Sequence, residues 1–410
     1  MLTETLIVTQ ARQRVLLLEQ IHPDADEILQ AAGFEVESFS RALDEDELVE
    51  RVAGVNVIGL RSKTHITQRV LDAATDLVAL GAFCIGTNQI DLAGASERGV
   101  TVFNAPFSNT RSVVELAIAE IISMTRRLTE KNALMHEGVW DKSADGAHEV
   151  RGRTLGIVGY GNIGTQLSVL AENLGMRVIF FDTADRLALG NARRCLTMSD
   201  LLHEADIVTL HVDGRASNDS LFGEAELAAM RPGSLFLNLS RGFVVDYAAL
   251  RAHVESGHIA GAAVDVFPVE PKGRGDEFVS ELRGLPNVIL TPHIGGSTEE
   301  AQQDIGRFVA GKIRDYVLDG STAMSVNTPG LILPRRADQL RLTHLHRNVP
   351  GVLATINGLL AEHAVNVEAQ LLGTRGDVGY VVTDSAAGVT QAIVDKIRSM
   401  PETLRLRVLF

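Results

Sequence analysis

One run constrains this chain more than any other: Thr154-Leu-Gly-Ile-Val-Gly-Tyr-Gly-Asn-Ile-Gly164. Its first half reads as a buried strand, and Gly159, Gly161 and Gly164 follow in the spacing G-x-G-x-x-G at the start of a helical pattern. Gly159 permits a tight turn, Gly161 lets backbone approach a pyrophosphate, and Gly164 lets the helix pack closely on the strand. The helix N-terminus then attracts phosphates. Gly159, Tyr160, Gly161, Asn162, Ile163 and Gly164 therefore form a candidate dinucleotide loop. Asp182, 18 residues beyond Gly164, ends the next strand-like run. A carboxylate there accepts hydrogen bonds from the adenosine ribose and repels a 2′-phosphate, which favours NAD over NADP. Glycines that serve a turn alone, and Asp182 as a solvated strand end, are the plainer readings of the same residues.

A length of 410 residues suggests about three domains. Short apolar runs at 15–18, 55–60, 77–80 and 100–103 alternate with helical patterns such as 44–52, a rhythm of βα repeats. A long amphipathic stretch, 110–135, reads as a single connecting helix. Strand-like runs then recur at 154–158, 177–181, 207–210, 234–237, 261–266 and 288–290, which predicts a second parallel sheet. Pro329, Gly330 and Pro334 interrupt 320–338, which reads as a linker. Beyond it the order β-α-β-β-α-β is that of a ferredoxin-like unit. The fold class is thus α/β, with two Rossmann-like doubly wound lobes and a C-terminal ferredoxin-like domain.

Charge excludes some classes. Lys plus Arg at 38 against Asp plus Glu at 52 leaves −14, the wrong sign for a nucleic-acid or anionic-membrane binder. Two cysteines, Cys84 and Cys195, are too few for a disulfide framework or a four-ligand metal site, so no metal is expected and a reducing cytoplasm is the simplest setting. The start at Met1 to Gln10 lacks a basic leader pattern, and no apolar run suits a spanning helix.

Function in a doubly wound sheet gathers outside the carboxyl ends of its strands. Ser234-Leu-Phe-Leu-Asn-Leu-Ser-Arg-Gly242 delivers Arg241; the run 261–271 delivers Asp265 and Glu270; Val288-Ile-Leu-Thr-Pro-His-Ile-Gly-Gly296 delivers His293. An Arg fork suits a planar carboxylate, His exchanges protons near neutral pH, and Glu beside His favours imidazolium and orients the ring. In the first lobe, Arg61-Ser62-Lys63 offers two cations and a hydroxyl to a phosphate dianion, with a solvated basic loop as the alternative.

The nucleotide loop, Asn-Leu-Ser-Arg-Gly, Ala-Val-Asp-Val-Phe-Pro-Val-Glu-Pro and Thr-Pro-His-Ile-Gly-Gly-Ser-Thr together resemble the D-isomer-specific 2-hydroxyacid dehydrogenases. The resemblance spans nearly all of the chain, and the C-terminal segment is similar to an ACT regulatory domain. It implies a substrate-binding lobe at 1–108 completed by 299–325, an NAD-binding domain at 109–298, a linker at 326–338 and an ACT domain at 339–410. It further implies Arg241 for the substrate carboxylate, His293 as proton acceptor, Glu270 as its partner, and Asp265 near the nicotinamide side of the cofactor. Gly81 to Gly86 and Asn109 match positions lining the substrate cleft.

The branch of the family with this architecture implies oxidation of 3-phosphoglycerate to 3-phosphooxypyruvate, the opening step of phosphorylated serine biosynthesis. Another 2-hydroxyacid such as 2-hydroxyglutarate, or an NAD-sensing interaction protein, are the alternatives. Thr343 to Gly351 resembles an ACT effector loop, in which His346 and Asn348, with Asn366, would contact L-serine at interfaces between C-terminal domains. Asn366 is also readable as a plain loop residue. Pro334 to Asp338 replaces a Gly pair of similar chains, which lowers backbone freedom before this domain. Trp140 follows the long helix at a segment that joins subunits in the family, implying a homo-oligomer, a tetramer; core packing is the alternative.

Overall fold

The computed structural model describes residues 12–271, 275–335, 339–385 and 388–410. The residues before Arg12, and Arg336, Ala337 and Asp338 of the segment preceding the last domain, lie outside the described residues. The chain divides into two compact units, one of 107–301 and one combining the sequence before 107 with that after 301.

In the combined unit, β1 (Arg14–Leu17), β2 (Glu35–Ser38), β3 (Val57–Leu60), β4 (Ala79–Ala82) and β5 (Thr101–Asn104) form a parallel sheet of order β2-β1-β3-β4-β5. Both faces of β3 and β4 are buried, which is why they read as unbroken apolar runs. Strand β2, Glu-Val-Glu-Ser at a sheet edge, shows no such run and was not legible. Helix Glu299–Asp319 covers one face through Ile305, Val309, Ile313 and Tyr316.

The 107–301 unit contains β6 (Thr154–Val158), β7 (Arg177–Phe181), β8 (Arg193–Arg194), β9 (Ile207–Leu210), β10 (Ser234–Asn238), β11 (Ile259–Val264) and β12 (Val288–Leu290). All are parallel, in the order β12-β11-β10-β9-β6-β7-β8. The order reverses between β6 and β9, the topological switch point of a doubly wound sheet. The stretch expected as one helix is two, Thr110–Thr125 and Leu128–His136, broken where Arg127 takes a left-handed φ of 51°. The second helix buries none of its residues, so no core holds it in line with the first. Trp140 is 77% exposed, which removes the core alternative.

At the C-terminal end of the chain β13 (Leu340–Arg347), β14 (Val367–Arg375), β15 (Val378–Ser385) and β16 (Thr403–Leu409) form an antiparallel sheet of order β14-β15-β13-β16, with helices Val352–Glu362 and Gln391–Arg398 on one face. The opposite face packs against the end of helix Glu299–Asp319. There Arg341 and Asp384, both fully buried, pair in a two-pronged contact of 2.7 Å per bond, and Arg341 also donates to the carbonyls of Asp319 and Leu333. The segment expected as a linker is anchored over 322–328. Val326 N donates to Val102 O, Asn327 bridges Val100, Val102 and Ser96, and buried Thr322, Ser325 and Thr328 satisfy one another and nearby carbonyls. Short polar side chains replace secondary structure in meeting the backbone's hydrogen-bonding needs there.

Candidate active site

The glycine loop leaves β6 at the switch point. Gly159 has φ 93°, and a Cβ on it would stand 2.5 Å from the His211 carbonyl oxygen beyond β9. A Cβ on Gly164 would lie 2.4 Å from Gly159 O, so the helix Asn162–Asn173 can approach the turn only through glycine. Gly161 differs: a Cβ there meets nothing within 4 Å. Open space thus lies over a helix N-terminus whose first N–H groups have no side-chain cap. That combination fits a dinucleotide pyrophosphate. Asp182 Oδ2 accepts from Tyr160 N and Oδ1 from Ala184 N, both at 2.8 Å. The carboxylate is held at the loop with lone pairs to spare for ribose hydroxyls. The Tyr160 side chain points into the core, stacked on Phe180 and bonded to Ser168 Oγ, so only its backbone faces the loop.

Three further strand ends of the same unit build the chemistry. Asn238, buried at the end of β10, donates to Arg241 O and accepts from Ser240 N and Oγ, fixing the turn that carries Arg241. Arg241 donates to Ser240 O, and its remaining donors are available to an anion. After β11, Glu270 accepts from Phe267 N at 3.1 Å and faces His293 Nδ1 at 2.9 Å. His293 is 49% exposed and Glu270 37%. The Glu270 hydrogen bond, aided by the Glu270 and Asp265 charges, raises the His293 pKa above 6.5 against burial and the Arg241 cation, which lower it. Burial pushes Glu270 up, yet the bond and charge of His293 leave it below its ordinary value. Glu270 therefore holds Nδ1 and leaves Nε2 as the ring nitrogen for proton exchange.

Asp265 organises the loop that carries His293. It is 1% exposed, and its oxygens accept from Thr291 Oγ1 at 2.6 Å and from Ile294 N and Gly295 N at 2.8 Å. These bonds wrap the loop around His293, whose own φ is a left-handed 54°. Asn109, at the start of helix Thr110–Thr125, leans over the same loop; a Cβ on Gly296 would lie 2.3 Å from its Nδ2, and its Oδ1 is buried without a partner.

Arg61, Ser62 and Lys63 follow β3 in the other unit, with Ser62 and Lys63 exposed. The Cys84 Sγ meets the Arg61 and Gly86 carbonyls. In the C-terminal sheet His346 is buried with Nδ1 on Arg347 O, and Asn348 Nδ2 donates to Gly376 O. Asn366 is exposed next to Val367, which pairs with Ser385, itself the partner of Leu340. His346 and Asn366 therefore mark opposite ends of the sheet, about 20 Å apart at ~3.3 Å per residue. One chain does not bring the three together.

A family model described as the D-isomer specific 2-hydroxyacid dehydrogenase, NAD binding domain, matches residues 118–295, and one described as an AHAS small subunit-like ACT domain matches 342–405. The D-3-phosphoglycerate dehydrogenase of Escherichia coli (strain K12) is 50% identical over 400 residues, covering 97% of each chain. The enzyme of that name from Haemophilus influenzae is 47% identical over 410 residues, covering 100% of both. The chain belongs to the D-isomer-specific 2-hydroxyacid dehydrogenase family. The solved pyruvate reductase of Chlamydomonas reinhardtii superposes with a TM-score of 0.67 at 27% identity, covering 75% of this chain and 97% of that one. As a member of this dehydrogenase family the chain is an NAD-dependent oxidoreductase with a C-terminal ACT domain. No helix among the described residues is long and apolar enough to cross a membrane.

Sequence reasoning passed over Asn238, although it stands at a strand end inside the quoted Asn-Leu-Ser-Arg-Gly motif; its position was the available signal. It also passed over Glu120, whose carboxyl group is buried in helix Thr110–Thr125 of this dehydrogenase. Nothing in the helical period distinguishes that residue from a solvated one.

Proposed function

We propose that this enzyme oxidises D-3-phosphoglycerate to 3-phosphooxypyruvate with NAD, the first step of the phosphorylated route to L-serine. The observation that carries the reading is the Glu270–His293 pair at 2.9 Å in a chain 50% identical over nearly its whole length to an enzyme named for that substrate. Bound NAD supplies the acceptor for the C2 hydride. Gly159, Gly161, Gly164, Asn162 and Ile163, with the Tyr160 backbone, hold its pyrophosphate, and Asp182 holds its ribose. Arg241 binds the substrate carboxylate and sets the orientation of C2. His293 Nε2 takes the hydroxyl proton, and Glu270 stabilises the imidazolium that results. Asp265 keeps the His293 loop in place. Arg61, Ser62 and Lys63 bind the phosphate, and Asn109 lines the substrate site.

Regulation by L-serine belongs to the same proposal. His346 and Asn348 at one end of the C-terminal sheet and Asn366 at the other suit an effector lodged between two copies, each giving one end. The exposed Trp140 with Val139 and Met135 suits a further contact between copies, so a homo-oligomer, a tetramer, in the cytoplasm is the expected form. The test is steady-state kinetics of the purified full chain with NAD on 3-phosphoglycerate, glycerate and 2-hydroxyglutarate. Preference for the phosphorylated substrate is expected, and its absence overturns the assignment. Serine titration of activity, with Asn366→Ala alongside, tests the effector; binding without inhibition would retain the site and remove the switch.

A further inference from the structure

We propose that Glu19 is a positioning residue that presets the basic loop Arg61-Ser62-Lys63 for a phosphate monoester and leaves recognition of that phosphate to side chains alone. The inference rests on the phosphate role given to this loop above. Strands β1 and β3 are neighbours in the order β2-β1-β3-β4-β5, and connections depart from this pair in opposite directions. Such a reversal opens a crevice outside the carboxyl ends of the two strands, where ligands of open parallel sheets bind. Glu19 lies just beyond the end of β1, and Arg61 to Thr64 just beyond the end of β3.

The contact between them is built, not incidental. Glu19 is 8% exposed, and its carboxylate accepts three consecutive backbone N–H groups: Ser62 at 3.1 Å and Lys63 at 3.0 Å on Oε2, Thr64 at 2.8 Å on Oε1. Aiming it requires left-handed backbone at two successive non-glycine residues, Glu19 at φ 64° and Gln20 at φ 54°. Bonds from Glu19 N to Arg41 O and Gln20 N to Phe39 O, both 3.1 Å, hold that conformation. Strain maintained by its surroundings is a feature of functional segments. From the other side Gln89 Nε2 donates to Arg61 O at 2.5 Å. The Arg61 peptide is thus clamped between Glu19 and Gln89.

A run of backbone amides of this kind is itself an anion cradle. Here Glu19 fills it, so an incoming phosphate finds no free amide at 62–64. What remains are the Arg61 guanidinium, the Ser62 hydroxyl and the Lys63 ammonium, for which no side-chain partner is found among the described residues. Recognition through charged side chains on a fixed backbone favours a dianion, because the loop backbone is already ordered and only the side-chain rotamers remain to be fixed on binding.

The test measures kcat and KM for 3-phosphoglycerate and for an unphosphorylated 2-hydroxyacid turned over by the same full-length enzyme. Glu19→Gln keeps one acceptor oxygen but sets an amide NH2 against at least one of the three N–H donors. It should raise KM for the phosphorylated substrate at least about tenfold, with kcat and the unphosphorylated kcat/KM within about twofold, since loop misplacement acts on positioning. Glu19→Asp, which keeps an acceptor-only group, should restore part of the preference. Gln89→Leu, which releases the loop from its other side, should shift the ratio in the same direction and serves if Glu19→Gln does not fold. An unchanged ratio in these variants, or equal losses on both substrates, overturns the proposal. Arg61→Ala with Lys63→Ala separates the two levels: if that pair lowers phosphate preference and Glu19→Gln does not, the loop reads phosphate without Glu19. If the pair leaves preference intact, the phosphate role of the loop itself fails.

Discussion

Gly242 and Phe267 approach so closely that a Cβ on residue 242 would stand 2.0 Å from the Phe267 carbonyl carbon. Gly242 follows Arg241, and Phe267 donates its N–H to Glu270, so this contact sets the loop of Arg241, the proposed carboxylate binder, against the loop of Glu270. Gly242→Ala should displace one loop from the other. A loss of at least about tenfold in kcat/KM is expected, because displacement on the order of 1 Å at a reacting centre is costly. NAD affinity, measured by fluorescence titration, should change little, and wild-type kcat/KM would show that the loops act independently.

The Glu270–His293 pair predicts a pH profile. With His293 as the proposed proton acceptor, oxidation needs the unprotonated imidazole, and Glu270 raises the His293 pKa above 6.5. The kcat/KM for oxidation should therefore rise with pH through an inflection above 6.5. Glu270→Gln removes the carboxylate charge, so the inflection should move to lower pH while the maximal rate falls. His293→Ala should lower kcat by at least about 100-fold across the range. Profiles of wild type and Glu270→Gln that superimpose would separate Glu270 from His293 in function.

Asp182 accepts from Tyr160 N and Ala184 N and is the proposed partner of the NAD ribose. Asp182→Ala should weaken NAD by roughly tenfold or more, the scale of a lost charge-assisted hydrogen bond, and relax discrimination against NADP. Asp182→Asn keeps an acceptor for the loop amides, so comparison of NAD and NADP kinetics in the two variants separates charge from loop support. Unaltered cofactor preference in both would place ribose recognition elsewhere.

Glu120 predicts a stability effect. Burial, reinforced by the Asp265 charge and little offset by the Thr291 hydroxyl, raises its pKa from 4.5 to about 8. Between those values the native state holds a proton that the unfolded chain has released, so stability falls as pH rises through that window. Glu120→Gln, a neutral isostere, should match wild type near pH 5 and exceed it in Tm by a few degrees near pH 8. Melting curves at the two pH values check this; a constant difference would mean that Glu120 ionises with the unfolded chain.

What the sequence determined by itself was whatever is written in neighbouring residues. The Gly159 to Gly164 spacing, the apolar runs of β6, β7, β9 and β12, and the β-α-β-β-α-β order at the end of the chain were all legible, because turns, strands and helices depend on backbone preferences within a few positions. The placement of Arg241, Glu270 and His293 just beyond strand ends was legible as well, since it follows from the local order of strand and loop. The edge strand β2 was not, because a solvated edge needs no apolar pattern, and neither was the break at Arg127, which follows from the absence of a core beneath the second helix. The tertiary structure alone decided that Asp265 wraps the His293 loop and that Glu19 fills the amides after β3. Glu19 lies 43 to 45 positions from the amides it binds, and Asp265 up to 30 from its own. A buried carboxylate at a strand end looks the same in sequence whether it meets substrate or backbone, and only the folded path of the chain brings three donors to its oxygens.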